Sequence, residues 1–289
     1  MSPLQTWIAG ARPRTLPAAV SPVLVGTALI RRDHHSINYL NALLALLVSL
    51  LLQIAVNFAN DYSDGIRGTD DVRVGPIRLV ASGLASAKAV KSAAFICFAL
   101  AGVSGIVLAA RVSWWLVLVG AISILAAWTY TGGKHPYGYA GFGEISVFIF
   151  FGVVATAGSY LVQSHSITWK SLVVSIPIGA LSCSLLAINN LRDLPKDALV
   201  GKKTLAVRLG DSKARTGLIA LLLSAHLFSL IAAFITPWTL ITLIFLPLTL
   251  QIVSKIRAGA AGAELIPLLG KVGKLQLFLS ISLAVALVL

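Results

Sequence analysis

The run "YLNALLALLVSLLLQIAVNFAN", Tyr39–Asn60, has no charged side chain over 22 positions. As a helix rising 1.5 Å per residue it reaches about 33 Å, enough to cross a hydrocarbon core of roughly 30 Å. It is followed at once by "DYSDGIRGTDD", Asp61–Asp71, which holds four of the ten acids in 289 residues. A membrane-crossing helix that ends on a knot of carboxylates poses the questions of fold and function together.

The rest of the chain repeats the first half of that pattern. Hydrophobic residues make up 57% and charged ones 11%, with mean hydropathy +0.90, against the roughly 25% charged of soluble domains. Uncharged runs at Ser92–Ala110, Val112–Gly133, Ile145–Trp169 and Ser171–Leu191 each have the length of a span. Thr216–Ser254 is long enough for two, with Thr236–Pro237 as the turn between them. Thr15–Ile30 and Leu275–Leu289 are shorter and reach the interface through snorkelling Arg14 and Lys274. The expectation is an all-α, polytopic membrane protein: nine transmembrane helices around a central cavity, in one domain over residues 1–289.

Nine crossings put the N-terminus and the loops after helices two, four, six and eight on one face. Nineteen of the 23 lysines and arginines fall there, and only Arg31, Arg32, Arg111 and Lys170 fall opposite. By the positive-inside rule the cation-rich face is cytoplasmic, which implies a multi-pass protein of the cell membrane with its active-site loops cytoplasmic. The net charge of +13 is then topological, and no basic helix or aromatic-basic platform marks a nucleic-acid binder. Cys97 and Cys183 fall inside spans without a CxxC partner and serve as packing residues, and the five histidines show no zinc spacing.

Six of the acids gather in two windows, Asn60–Asp71 and Asn189–Asp197, which close helices two and six on that same face. Asp61 and Asp64 are three apart, Asn60 and Asp64 four, Asn189 and Asp193 four, so each set shares a helix face if the helix continues that far. Pro195 predicts a kink or a new short helix inside the second window. Carboxylates at a helix C-terminus oppose the macrodipole by roughly 0.3–1 kcal/mol each, and a divalent cation reverses that sign. Carboxylate and amide oxygens without sulfur or imidazole suit Mg²⁺ or Ca²⁺, and Mg²⁺ takes one or two carboxylates plus substrate phosphates. Arg67, Arg78, Lys202 and Lys203 stand in the same loops for the remaining phosphate oxygens. A metal-bridged diphosphate is the group this pattern describes; the plain alternative is two charged loop caps with aspartates paired to arginines. A third segment, "YTGGKHPYGYAGFGE", Tyr130–Glu144, closes helix four on the same side. It reads either as a connector or as a lid, with Lys134 toward phosphate and Tyr130 or Tyr139 toward an aromatic or cationic species.

The strings "NDYSDGIRGTD" and "NNLRDLPKD…GKKTLAVRLG" resemble the two aspartate-rich signatures of the UbiA superfamily of intramembrane aromatic prenyltransferases. "ARPRTLPAAV", "GPIRL", "YTGG…GYAGFGE" and "TLAVRLG" resemble the branch that prenylates 1,4-dihydroxy-2-naphthoate in menaquinone biosynthesis, and the likeness runs from Arg12 to about Gly210. The resemblance implies a polyprenyl diphosphate substrate, Mg²⁺ as cofactor, and transfer of the prenyl group to the naphthoate with loss of diphosphate and CO₂, giving demethylmenaquinone. By position, Asn60, Asp61, Asp64, Arg67 and Asp70 fall on the first signature, Asn189, Asn190, Asp193 and Asp197 on the second, and Lys202 on the "GK-x-TL" string. Metal ligation is thereby implied for Asp61, Asp64, Asp70, Asp193 and Asp197, and diphosphate contact for Asn60, Arg67, Asn189, Asn190 and Lys202, joined by Arg78. Asp64, Asp193, Lys134 and Tyr130 are the groups expected at the reaction centre. Three other readings compete: another aromatic acceptor such as 4-hydroxybenzoate, a transporter of an anionic metabolite, and a CDP-alcohol phosphotransferase. Transporters place their ionisable groups near the midplane rather than at span ends, and "DGIRG" departs from the D-G-x-x-A-R string of the phosphotransferases.

Overall fold

The computed structural model describes residues 2–68, 75 and 77–289. Among the described residues the chain is helical, without strands. The helices are α1 Pro3–Ala11, α2 Pro17–Arg32, α3 Tyr39–Ile66, α4 Ala87–Arg111, α5 Trp115–Thr129, α6 Gly143–Ser164, α7 Trp169–Leu199, α8 Leu205–Leu209, α9 Asp211–Ile231, α10 Pro237–Arg257 and α11 Leu265–Val288. Asn38, Ser86 and Thr168 cap α3, α4 and α7, each side chain accepting from the amide three residues on. Pro237 takes the first turn of α10 behind an extended Thr236, so the 39-residue uncharged run turns where its proline stands.

Among the described residues seven helices are long and apolar enough to cross a membrane, and α2 adds an eighth when joined to α1 across a 53° bend. Helix α5 has 15 residues, about 22 Å, and does not reach spanning length. The nine expected crossings are therefore not met by length alone. Contacts at the helix ends nevertheless fix direction. Arg111, closing α4, donates to Asn41 at the start of α3 at 2.8 Å, and Asn41 donates to the Val162 carbonyl near the end of α6 at 2.8 Å. Thr131, just past α5, donates to Asn60 near the other end of α3 at 2.7 Å. Helix α5 thus runs from the end where α3 starts to the end where α3 finishes.

The two acidic windows emerge together, since Lys202 beyond α7 meets Asp64 of α3 at 2.8 Å. Both helices outrun the apolar segments that define them, α3 to Ile66 and α7 to Leu199. No new helix starts at Pro195: α7 passes through it. Buried Leu191 and Arg192 and the Lys202 amide on the Asp197 carbonyl at 2.8 Å hold the last turns, which outweighs the one amide that proline lacks.

Helix α7 is the centre of the bundle. Leu181, Leu185 and Ile188 pack against Leu218 and Leu222 of α9, Ile252 and Ile256 of α10 and Val272 and Leu275 of α11. Its earlier turns, Val174 and Ile178, join Val25 and Leu29 of α2 and Tyr160 of α6. In lipid such packing needs close approach and polar stitches more than apolar contrast. A Cβ on Gly152 would stand 2.7 Å from the Gly179 Cα, so α6 and α7 touch through glycines. Gln276 donates to Ser182 at 2.8 Å, and His226 bonds Thr249 at 2.7 Å. At the end opposite the acids, Asp33 accepts from Tyr160 at 2.5 Å and pairs with Lys170, joining α2, α6 and α7.

Candidate active site

A cavity of about 370 Å³ runs through the half of the bundle built by α2 to α7. Where α3 and α7 finish, its wall is polar: Asn60, Asp64, Arg78, Tyr139, Asn189, Asn190, Asp193, Lys196, Asp197 and Lys202. The remainder is largely apolar, with Leu52, Leu108, Leu116, Val119, Phe150, Phe151 and Val154, broken by a few polar groups such as Gln53, Asn57 and Ser159. The phenylalanines come from a π-helical stretch of α6, Phe148–Val154, a wide turn that proteins use mostly at functional sites. The helical extensions beyond the apolar runs are what carry the polar residues to this wall.

Asp64 organises the polar end. It is 4% exposed and accepts from the Tyr139 hydroxyl, from Lys202 Nζ at 2.8 Å and from Arg78 Nη2 at 3.4 Å. Lys202 also stands over the Tyr139 ring, 4.5 Å from its centre. Burial opposes the Lys202 ammonium, but the Asp64 charge and hydrogen bond outweigh it and raise its pKa above the ordinary lysine value. Burial, then the Asp64 charge, push the Tyr139 phenol up to about 12. Both groups therefore carry their protons at neutral pH and act as donors. On α7, Arg192 grips Asp193 with two bonds of 2.7 Å, and Asn190 donates to Glu144 Oε1 at 2.9 Å. Lys196 lies on the wall with its Nζ buried and, among the described residues, without a hydrogen-bond partner.

Several expected site residues are placed elsewhere. Asp61 is fully buried and turns from the cavity, its two oxygens accepting from the Leu79 and Val80 amides at 2.8 and 3.0 Å. It docks the loop that carries Arg78 and is not among the residues that line the cavity, where the expected metal ligands Asp64, Asp193 and Asp197 stand. Arg67, expected at phosphate, donates instead to the Thr131 and Gly133 carbonyls at 2.6 and 2.5 Å. Lys134 is exposed and off the cavity wall, because Gly133 at φ 80° turns the chain outward. Lys203 is exposed as well. Asp70 and its neighbour Asp71 lie outside the described residues.

The segment Tyr130–Glu144 forms part of the wall. Gly138 donates to the Tyr130 carbonyl at 3.0 Å, Lys203 to the Tyr139 carbonyl at 2.9 Å, and Arg67 clamps the turn between. Tyr130, Thr131, Tyr137 and Tyr139 line the cavity. Burial, then the Glu144 charge, raise the Tyr130 pKa, which keeps that phenol protonated.

Among the described residues, no three of His, Cys, Asp and Glu converge as a ready-made metal cage. The wall nonetheless offers Asp64, Asp193 and Asp197 with the amides of Asn60 and Asn190, an oxygen donor set of the kind a hard divalent cation takes. Lys196 and Glu144 escaped the reading of the residues. Lys196 was legible only as one more loop cation, and nothing in the local string marks Glu144 as a partner of Asn190, 46 positions away.

An all-helical membrane bundle whose two acidic helix ends meet over one cavity, polar at its mouth and apolar beyond, defines an enzyme for substrates with an anionic head and a lipid tail. The sequence signature of the UbiA prenyltransferase family matches residues 19–264, and the chain belongs to that family. It is 48% identical over 287 residues to the 1,4-dihydroxy-2-naphthoate octaprenyltransferase of Mycobacterium tuberculosis, covering 99% of this chain and 98% of the other. To the protein of the same name from Escherichia coli it is 41% identical over 222 residues, 74% of this chain and 72% of that one. In fold it matches a solved UbiA homolog from Archaeoglobus fulgidus bound to GPP and Mg²⁺, with a TM-score of 0.70 at 14% identity over 98% of this chain and 99% of the other.

Proposed function

We propose that the protein transfers a polyprenyl group from its diphosphate to 1,4-dihydroxy-2-naphthoate, acting as one unit over residues 1–289. The observation that carries this reading is the one cavity joining the Asp64–Lys202–Arg78 cluster to a long apolar arm, in a chain whose Mycobacterium tuberculosis relative, covered over 98% of its length, bears that activity in its name.

Asp64, Asp193 and Asp197, with the amide oxygens of Asn60 and Asn190, would hold Mg²⁺; Asp70 joins the set by its place in the first signature. The chemistry those residues would gain from a bound ion is neutralisation of charge growing on the departing diphosphate. Lys202, Arg78, Asn189 and the unpartnered Lys196 hold the phosphate oxygens, where fixed donors in a low-dielectric wall favour the leaving group. The allylic C–O bond breaks, and its electron pair leaves with diphosphate. The ring supplies the pair for the new C–C bond. The carboxylate departs as CO₂, returning its bonding pair to the ring and leaving demethylmenaquinone in its quinol form. Tyr130 faces the aromatic acceptor, and Phe150, Phe151 and Val154 exclude the water that would capture the allylic cation. The prenyl tail stays with lipid at about 0.8 kcal/mol per buried CH₂. The cation-rich site end, with the N-terminus, is the cytoplasmic face of the cell membrane, a reading supported by 19 of 23 lysines and arginines on that side.

Purified protein given a prenyl diphosphate and Mg²⁺ is expected to prenylate dihydroxynaphthoate with release of CO₂, detected by mass. Prenylated hydroxybenzoate alone would overturn the acceptor, and the absence of any metal-dependent product would overturn prenyl transfer. Lys196→Met is expected to raise the KM for prenyl diphosphate about tenfold through loss of one charge-assisted contact, and Lys196→Arg to restore most of it. An unchanged KM in the Met variant rules Lys196 out as a phosphate ligand.

A further inference from the structure

We propose that a ring of small residues deep in the cavity, Ala45, Gly105, Gly120 and Gly158, sets which prenyl tail lengths the protein accepts; this rests on the prenyl-transfer reading above. The four come from four helices, α3, α4, α5 and α6, and all line the one cavity. Each lies about six residues or fewer from the end of its helix remote from the acids, so they stand at one level of the bundle. The glycines are not there for helix packing. A Cβ added at Gly120 or Gly158 would meet no atom within 4 Å, and one at Gly105 would meet only Val48 Cγ2 at 4.0 Å. Glycine costs a helix roughly 1 kcal/mol relative to alanine, so three unpacked ones facing a cavity preserve width there. At the other end of the same cavity, the buried and unpartnered Lys196 ammonium calls for an anionic head.

The distance between head and ring makes the idea quantitative. Nineteen residues of α3 separate Asp64 from Ala45, about 28 Å at 1.5 Å per residue. An extended isoprene unit covers roughly 5 Å from ordinary single-bond lengths. A head held at Asp64 therefore brings the fifth or sixth unit to the ring, whereas a two-unit tail ends far short of it.

The test is direct binding of a series of prenyl diphosphates, geranyl to octaprenyl, with Mg²⁺, to wild-type protein and to Ala, Val and Leu replacements at Gly120 and Gly158. Geranyl affinity is expected to stay within about twofold in every variant. Octaprenyl affinity is expected to fall with side-chain volume, by about tenfold or more for Gly120→Leu and Gly158→Leu. The Ala variants guard against misfolding, since alanine favours the helix. Gly217→Leu on α9, also open around its Cα and off the cavity wall, is the control and should leave both ligands unaffected. Equal weakening of both lengths, or undiminished octaprenyl binding in folded Leu variants, overturns the ring: the tail then leaves the cavity before reaching it. Wild-type protein that binds no prenyl diphosphate would overturn the functional reading itself.

Discussion

Asp64→Asn is expected to lower prenyl transfer by at least about a thousandfold, at the upper end of what losing one preorganised electrostatic partner costs, while the protein still folds. Asp64 is held by side chains of the cavity wall, the Tyr139 hydroxyl, Lys202 and Arg78. The amide keeps the shape but presents a neutral oxygen where a hard cation takes a carboxylate, and an NH₂ group toward cations. Lys202 and Arg78 then repel each other across the place their common anion held. Their loss of pairing is softened because they border a polar cavity mouth that admits water, so the melting temperature should move far less than the rate. Turnover, Mg²⁺ binding and thermal unfolding measured on the same preparation separate these effects. Turnover within tenfold of wild type would remove Asp64 from the centre of the site.

The position of the site was legible because it depends on coarse quantities. Charge-free runs mark the apolar helices, their alternating direction puts Asp64 and Asp193 at one end of the bundle, and the 2.8 Å contact between Lys202 and Asp64 realises that convergence, although the nine expected crossings are not met by length alone. The roles of single side chains were less legible, because they depend on where a helix meets a loop. Asp61 and Asp64 share the spacing that predicts a common face, yet the loop at Leu79–Val80 captures one and the cavity the other. Arg67 is taken up by the carbonyls within reach after α5, whereas Arg78 on the next loop is buried against Asp64. Glu144 and Lys196 are set by tertiary contact, through Asn190 and through the cavity wall, which no local string encodes. Helix ends were misread in both directions: α3 and α7 run on past their apolar segments because their polar last turns are still packed inside the bundle, whereas α5, Trp115–Thr129, stops short of the uncharged run that contains it.

Asp61→Asn separates the structural carboxylate from the chemical one. The native side chain accepts from two consecutive amides, Leu79 at 2.8 Å and Val80 at 3.0 Å, at zero exposure. An asparagine oxygen satisfies one of them and sets its NH₂ against the other, leaving a buried donor unpaired and removing charge assistance from the bond that stays. Together these cost about 3–5 kcal/mol, and the melting temperature should fall by roughly 10 °C. Leu79 is itself fully buried against Phe58, Ala55 and Val90, so the loop loosens as a unit and carries Arg78 with it. Below its lowered transition the variant should keep its Mg²⁺ dependence and show a raised KM for prenyl diphosphate, with kcat within about tenfold of wild type. A variant that melts like the wild type yet no longer responds to Mg²⁺ would return Asp61 to the metal set. In that case its amide contacts would be a second duty of a ligand, and the contrast with Asp64 would disappear.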